Sequence, residues 1–403
     1  MSERHVDTDV VVVGAGPAGA AAAMLLAEHG LDVVVLDRAE LPRSRIICGE
    51  YLSPEAARLL DRLGVLKAVD AAGAVALSGM RITAPDGTTV VGRYRDVRGW
   101  RPYRQHAMGI PRATLDGALV ERLRGAPVEL HEQTRVVDVL REGDRVVGVR
   151  AEDRDRRPLE VRARMVVGAD GRASVIAQRL GCRQPHRLRR MALITYVSGV
   201  ADCREVGEIF VDPPDYAILN PVAPDRVNLG VVVPLDHAAP WSGRLEDFLL
   251  ARVRQLPHLA RRLAGATRMA PIQALGPLAH RVHPPRVGGV LLIGDAAGFY
   301  DPFTGEGVFT ALRSAELATE TIAGALRAGD VSVRGLAAYE RQRRAAFAGK
   351  ERVTRALQLL IGHRRLAAAA CRMLARRPHL LDALLGVFGD YVPPRALPSL
   401  LRP

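Results

Sequence analysis

Val10 to Glu28 read VVVVGAGPAGAAAAMLLAE, and this stretch decides the fold. Val10 to Val13 form a short β-branched run, Gly14 to Gly19 read GAGPAG, and Ala20 to Glu28 are strongly helix-favouring, with Gly30 placed to stop the helix. Leu31 to Leu36 then read LDVVVL, a second buried strand ending at Asp37, which lies 23 residues beyond Gly14. A glycine turn between a strand and a helix, with an acid at that distance, predicts a dinucleotide site. Gly14 permits the tight turn, Gly16 lets backbone approach a pyrophosphate, and Gly19 allows helix to pack on strand. Pro17 sits in the first helical turn, where an N–H has no intrahelical partner, and the remaining donors around Ala18 face the phosphates. Asp37 is expected to accept both ribose hydroxyls and to repel a 2′-phosphate, which favours FAD or NAD over NADP. Arg38 joins it among the candidate cofactor contacts.

The 403 residues are 48% hydrophobic, enough for a large core and for two or three domains. The 57 Lys plus Arg outnumber the 44 Asp plus Glu, giving a net charge of +13 that favours anionic partners such as cofactor phosphates or acidic lipid headgroups. Aromatic residues are few and no basic stripe is interleaved with them, which argues against a nucleic-acid surface. Cys48, Cys182, Cys203 and Cys371 form no CxxC pair and no metal-type spacing, so reduced thiols and no metal site are expected. The polar start, MSERHVDTD, resembles no signal peptide, and no run of about 18 apolar residues occurs. A cytoplasmic protein, soluble or peripheral to a membrane, is expected.

Two later segments favour FAD. Met165 to Asp170, MVVGAD, is an apolar strand followed by Gly171, Arg172 and a helical stretch from Ser174; Val290 to Gly294 is another strand, with Asp295 at its carboxyl end. FYDPFTGEG at Phe299 to Gly307 then precedes a helix through about Ile322. Together, GAGPAG with Asp37, GADGRAS at Gly168 to Ser174, and GDAAGFYDPFTGEG at Gly294 to Gly307 resemble the FAD-binding signature of single-component flavin monooxygenases (para-hydroxybenzoate hydroxylase-like) and geranylgeranyl reductases. The resemblance implies that Asp295 binds the ribityl chain, that Asp170, Pro302, Gly305, Glu306 and Gly307 belong to the cofactor site, and that the last helix points its N-terminus at the flavin pyrimidine. A helix N-terminus stabilises negative charge on reduced flavin by up to ~2 kcal/mol in a partly buried site. IPRATLDGALVER at Ile110 to Arg122 resembles the family helix whose arginine, here Arg112, contacts the cofactor, and the strand after Thr134 resembles the one that brings backbone near adenine at Val136. RIICGEYLSPEA, Arg45 to Ala56, resembles a reductase loop whose Cys-Gly pair lies near the flavin, which adds Arg45 and Cys48; a small buried thiol explains Cys48 equally well.

The fold implied is α/β: a Rossmann-type FAD-binding domain of glutathione reductase-like topology over 1–75, 105–178 and 280–330, interleaved with a mostly β substrate domain over 76–104 and 179–279. Alternating strands are read at Met191 to Val200, Tyr216 to Leu219 and Val227 to Val233, separated by the Pro-rich turns VDPPD and NPVAPD. C-terminal helices occupy 331–403, rich in Arg; they read either as a membrane-surface face giving access to a lipid-like substrate or as a helical cap with solvated arginines.

No second GxGxxG unit follows a strand, so electrons are expected from NAD(P)H bound transiently or from a partner reductase. No Ser-His-Asp or paired-carboxylate arrangement stands out, and catalytic side chains are left unassigned. The reductase signature Tyr-x-Trp-x-Phe-Pro-Lys is only partly met by DYAILNPVA at Asp215 to Ala223, and the halogenase Trp-x-Trp-x-Ile-Pro segment is absent. The first expectation is therefore a monooxygenase that hydroxylates an apolar aromatic or polyketide-like small molecule through a flavin hydroperoxide. The alternative is an ene-reductase acting on an isoprenoid chain, and a prenyl-binding escort protein is the non-enzyme alternative.

Overall fold

The computed structural model describes residues 4–43, 48–203 and 205–400. Its first sheet runs, in spatial order, Glu129–His131, Val33–Leu36, Arg4–Val13, Pro158–Gly168, Arg145–Glu152 and Arg135–Glu142, with Val290–Leu292 also pairing the end of Pro158–Gly168. The strands around Arg4–Val13 are parallel and those of the Arg135–Glu152 hairpin antiparallel. Val10, Val11 and Val12 are completely buried because both faces of the sheet are covered, which is why they read as a continuous apolar run rather than an alternating one. On one face lie the helices Pro17–Glu28, Arg112–Arg124 and Gly307–Ala328; the other is packed by the hairpin and by Ile176 and Ala177.

The glycine turn is built by close contact. Gly14 has φ +100°, and a Cβ there would lie 2.6 Å from the Ala169 carbonyl oxygen. A Cβ on Gly19 would lie 1.7 Å from the Gly14 carbonyl oxygen. The helix starts at Pro17, three residues before the apolar run that announces it, because the proline occupies the first helical position without losing a bond.

The second sheet has the order Thr267–Arg268, Arg190–Ser198, Arg226–Pro234, Asp215–Ala223, Val206–Asp212, Gly79–Thr83 and Thr89–Arg93, with Gln273–Leu275 pairing Arg190–Ser198. Alternation along each strand divides its side chains. Leu193, Leu219, Leu229 and Val231 pack with Phe248, Leu249 and Leu259 of the helices behind. Ile194, Ile218 and Val232 point the other way, toward the C-terminal helices Ala337–Ile361, Arg364–Arg376 and Pro378–Phe388. Gly92 allows the last of these to sit on the sheet, since a Cβ there would lie 2.7 Å from both Leu381 and Leu385.

The reading of NPVAPD as a turn is corrected: Asn220 to Ala223 continue the strand, and the reversal falls at Pro224 and Asp225. Pro221 is tolerated because the neighbouring strand Val206–Asp212 pairs only as far as Leu219, so no partner there requires its missing N–H. No helix among the described residues is long and apolar enough to cross a membrane.

Gly19→Ala is expected to lower stability by ~1–3 kcal/mol or more, because the extra methyl must displace a backbone carbonyl. Urea denaturation of the purified variant measures the loss.

Candidate functional site

One cavity of about 890 Å³ runs from the glycine turn, past the strand ends of the first sheet, to the space between the second sheet and the C-terminal helices. Its polar end is lined by Gly14, Gly16, Pro17, Ala18, Asp37, Arg38, Arg112, Val136, Asp170, Asp295, Pro302, Gly305, Glu306 and Gly307, and by Cys48. Segments separated by up to about 290 positions thus meet in one groove. Arg45 lies outside the described residues.

The groove fits a dinucleotide. A Cβ on Gly16 would meet nothing nearer than an Arg43 side-chain nitrogen at 3.8 Å, so the backbone there is open toward the cavity. Asp37 is 1% exposed; its carboxylate accepts from Ala15 N at 2.7 Å and Ala39 N at 2.9 Å, and pairs with Arg43. The acid therefore shapes the turn as well as lining the groove. Asp170 caps the helix Val175–Arg179 through Oδ2, which accepts from Val175 N at 2.6 Å, while its Oδ1 is buried with no partner in the protein. Burial pushes the Asp170 and Asp295 carboxyls up; Arg112, Arg172 and His280 oppose this at Asp295. Buried Asp37, the partly buried Asp170 and Asp295, and open turn backbone at strand ends suit ribose and ribityl hydroxyls and a pyrophosphate. Gly305 has φ +69° and lies against the Tyr51 ring, which a Cβ would approach to 2.6 Å, so the loop before the helix Gly307–Ala328 can lie flat at the groove.

Sequence reasoning missed the hub around Glu50. This residue is 2% exposed with φ +55°, and its carboxylate accepts from Tyr196 Oη at 2.5 Å, Arg112 N at 2.8 Å and Asn228 Nδ2 at 3.0 Å. Burial nevertheless raises its pKa. Asn220 and Asn228 donate to the carbonyl oxygens of Gly49 and Cys48, so two strands of the second sheet fix the loop of the Cys-Gly pair. Arg112 lies beside that loop with its guanidinium held bidentately by Asp116, at 2.9 and 3.1 Å. The Cys48 thiol sulfur accepts from Glu50 N at 3.3 Å. Tyr216, in the strand Asp215–Ala223, is 1% exposed and donates to Asp301 Oδ1 at 2.8 Å; it supports the loop before Pro302 rather than lining the cavity.

Beyond the Tyr51–Tyr94 hydroxyl pair the cavity becomes apolar. Met80, Ile194, Ile209, Ile218 and Val232 form its sheet wall, and Leu357, Ile361, Cys371, Leu374, Leu381 and Leu385 its helical wall. No charged side chain among the described residues lines that end.

A dinucleotide groove opening into an apolar chamber defines an FAD-binding oxidoreductase. A model of the FAD binding domain family matches residues 7–354, and the chain belongs to that family. A digeranylgeranylglycerophospholipid reductase of Methanothrix thermoacetophila is 31% identical over 85% of this chain and 84% of its own length. A 1H-pyrrole-2-carbonyl-[peptidyl-carrier protein] brominase of Pseudoalteromonas luteoviolacea is 26% identical over 80% and 79%. The structure of the flavin-dependent brominase Bmp2 superposes with a TM-score of 0.84 over 98% of both chains at 23% identity, a likeness of fold.

Gly16→Val is expected to fold normally, since the added side chain points into open space at φ −72°, yet to weaken FAD binding at least tenfold by occupying the phosphate cradle. Thermal denaturation and fluorescence titration with FAD separate the two effects.

Proposed function

We propose that this FAD-dependent oxidoreductase hydroxylates an aromatic or polyketide-like ring carried on a long apolar body. The observation that carries this reading is the join between groove and chamber. Tyr51 and Tyr94 stand at that join, and Asn228, 1% exposed, keeps its Oδ1 free of any protein partner. A phenolic hydroxyl matches these polar groups, while the aliphatic walls receive the rest of the molecule. FAD, when bound, supplies hydride transfer and oxygen chemistry. The protein orients the ring through the Glu50 and Asn228 hub, excludes water with the C-terminal helices, and presents the N-terminus of Gly307–Ala328 to negative charge. NAD(P)H docking transiently, or a partner reductase, supplies the electrons.

Reduction of an isoprenoid double bond is the second reading. The length of the apolar chamber and the relative named as a digeranylgeranylglycerophospholipid reductase favour it. Incubation with NAD(P)H, ¹⁸O₂ and phenols of increasing alkyl length separates the two: the first reading expects one labelled oxygen in the product and tighter binding by roughly fourfold per buried methylene. Oxygen left untouched while a prenyl chain is saturated would establish the second. Cys371→Trp, which fills the far end, is expected to abolish the gain from chain length, read as KM against chain length.

The same helices carry the proposed membrane contact. Leu359, Leu366 and Met373 are 69%, 48% and 46% exposed, and residues 352–381 hold seven Arg and no Asp or Glu. Arg364 and Arg372 reach back to Asp212 and Asp86. An anionic bilayer surface suits this mixture, and it would place lipid beside the chamber wall. Replacing Leu359, Leu366 and Met373 together by Ser is expected to lower co-sedimentation with phosphatidylglycerol vesicles at least tenfold; binding unchanged by the replacement would remove the membrane from the picture.

A further inference from the structure

We propose that Lys350 is a positioning residue for the flavin: it holds the Glu306 carboxylate at the start of the helix Gly307–Ala328, and with Glu306 and Asp390 it keeps one exchangeable proton that answers flavin reduction. The inference rests on FAD occupying the groove.

Glu306 lines the cofactor end of the cavity immediately before Gly307. Lys350 reaches it from the helix Ala337–Ile361, with Nζ 3.2 Å from Glu306 Oε2, and the same ammonium pairs with Asp390. The side chains of Lys350 and Asp390 are 6% and 2% exposed. Ser53 Oγ, at the start of the helix Pro54–Arg62, donates to Asp390 Oδ2 at 2.7 Å, and the Lys350 ammonium stands 5.4 Å over the Phe309 ring. Glu306 Oε1 is buried and has no partner in the protein. The cluster therefore joins the loop at the flavin to the C-terminal helices that wall the substrate chamber.

Its charge count is unbalanced. One ammonium faces two carboxylates, so full ionisation would leave a net negative charge away from water, which burial opposes. The Asp390 carboxyl is pushed up to about 7 and that of Glu306 is also raised, both chiefly by burial. The two acids hold the Lys350 proton in place, outweighing the opposite effect of burial on the ammonium. The other titratable groups facing the cluster are Glu351, whose charge adds to the pressure on Glu306, and the phenols Tyr51, Tyr94 and Tyr391, all raised by burial and neutral near pH 7. The proton on the Asp390 carboxyl is thus the one in the cluster that exchanges near neutrality. Negative charge on a reduced flavin in the groove would raise the proton affinity of the Asp390 carboxylate, so that this one proton would be taken up from solvent in addition to the one taken by the flavin itself.

The test uses full-length, FAD-loaded protein reduced by dithionite, which is oxidised to sulfite. Potentiometric titration across pH 6–8 gives the protons taken up per two electrons. The wild type is expected to exceed one and approach two, Asp390→Asn and Lys350→Met to fall to one, and Lys350→Arg to restore the excess. Asparagine tolerates the left-handed backbone of Asp390, φ +73°, so the variant keeps its turn. An Asp390→Asn enzyme with the wild-type proton count, or a wild type that takes up only one, would overturn the inference.

Urea denaturation of the apoprotein is the second measurement. A carboxyl raised from 3.8 to about 7 on folding contributes stability that is present below the lower value and lost as pH rises through the higher one. Asp390→Asn should therefore gain on the wild type between pH 4 and 7 and hold a constant difference above; a difference that does not change with pH sinks the proposal. Loss of FAD binding in the wild type would overturn the functional reading instead, and the apoprotein measurement would still judge the cluster.

Discussion

The approach of the helix Pro17–Glu28 to the strand before it, with the Gly14 carbonyl oxygen occupying the space of a Gly19 side chain, is the contact on which the rest of the molecule depends. It brings the helix start over the carboxyl end of the central strand, where N–H groups of the first turn have no internal partners. The same strand end carries Asp37 beside it and, through Pro158–Gly168 and Val290–Leu292, Asp170 and Asp295. A parallel sheet with both faces covered leaves its strand ends as the open place for a ligand. The cofactor groove is therefore a consequence of the sheet, and residues far apart in sequence line it because their strands are neighbours.

The apolar chamber follows from a different rule. Each strand of the second sheet has two faces, and the one not packed on Phe248 and Leu259 needs another cover. The C-terminal helices supply it without filling the space entirely, which leaves an apolar chamber joined to the groove. At the join Asn220, Asn228 and Tyr196 of the sheet hold the Cys48 to Glu50 loop. Fixing of the Cys48 to Glu50 loop and shaping of the apolar chamber thus use the same strands.

Burial of charge is the shared cost. Glu50, Asp170, Asp295 and Glu306 all have their carboxyls raised, with burial as the largest cause in each. Such groups persist where hydrogen bonds, arginines or a ligand compensate them, and they concentrate around the groove. The unpartnered oxygens of Asp170 and Glu306 mark places where the protein alone does not complete that compensation.

Much of the candidate groove was legible in the chain because its geometry is local. A turn that needs glycine at Gly14, close packing that needs it at Gly19, and an acid at the end of the next strand leave a pattern of spacings, and the resemblance of GDAAGFYDPFTGEG extended that pattern to Asp295 and Gly305 to Gly307. The strands of the second sheet were visible as alternation, although Pro221 disguised the end of one. Glu50, Asn228 and Lys350 left no such trace, because their partners are distant in the chain: those of Glu50 lie 146 and 178 residues away at Tyr196 and Asn228. The chain alone specified a nucleotide-binding fold, since backbone conformation and helix dipoles act between near neighbours, and its resemblance to known flavoproteins implied the flavin. Only the tertiary structure decided the chamber and the charge clusters around it, because burial and ion pairing depend on which distant elements meet.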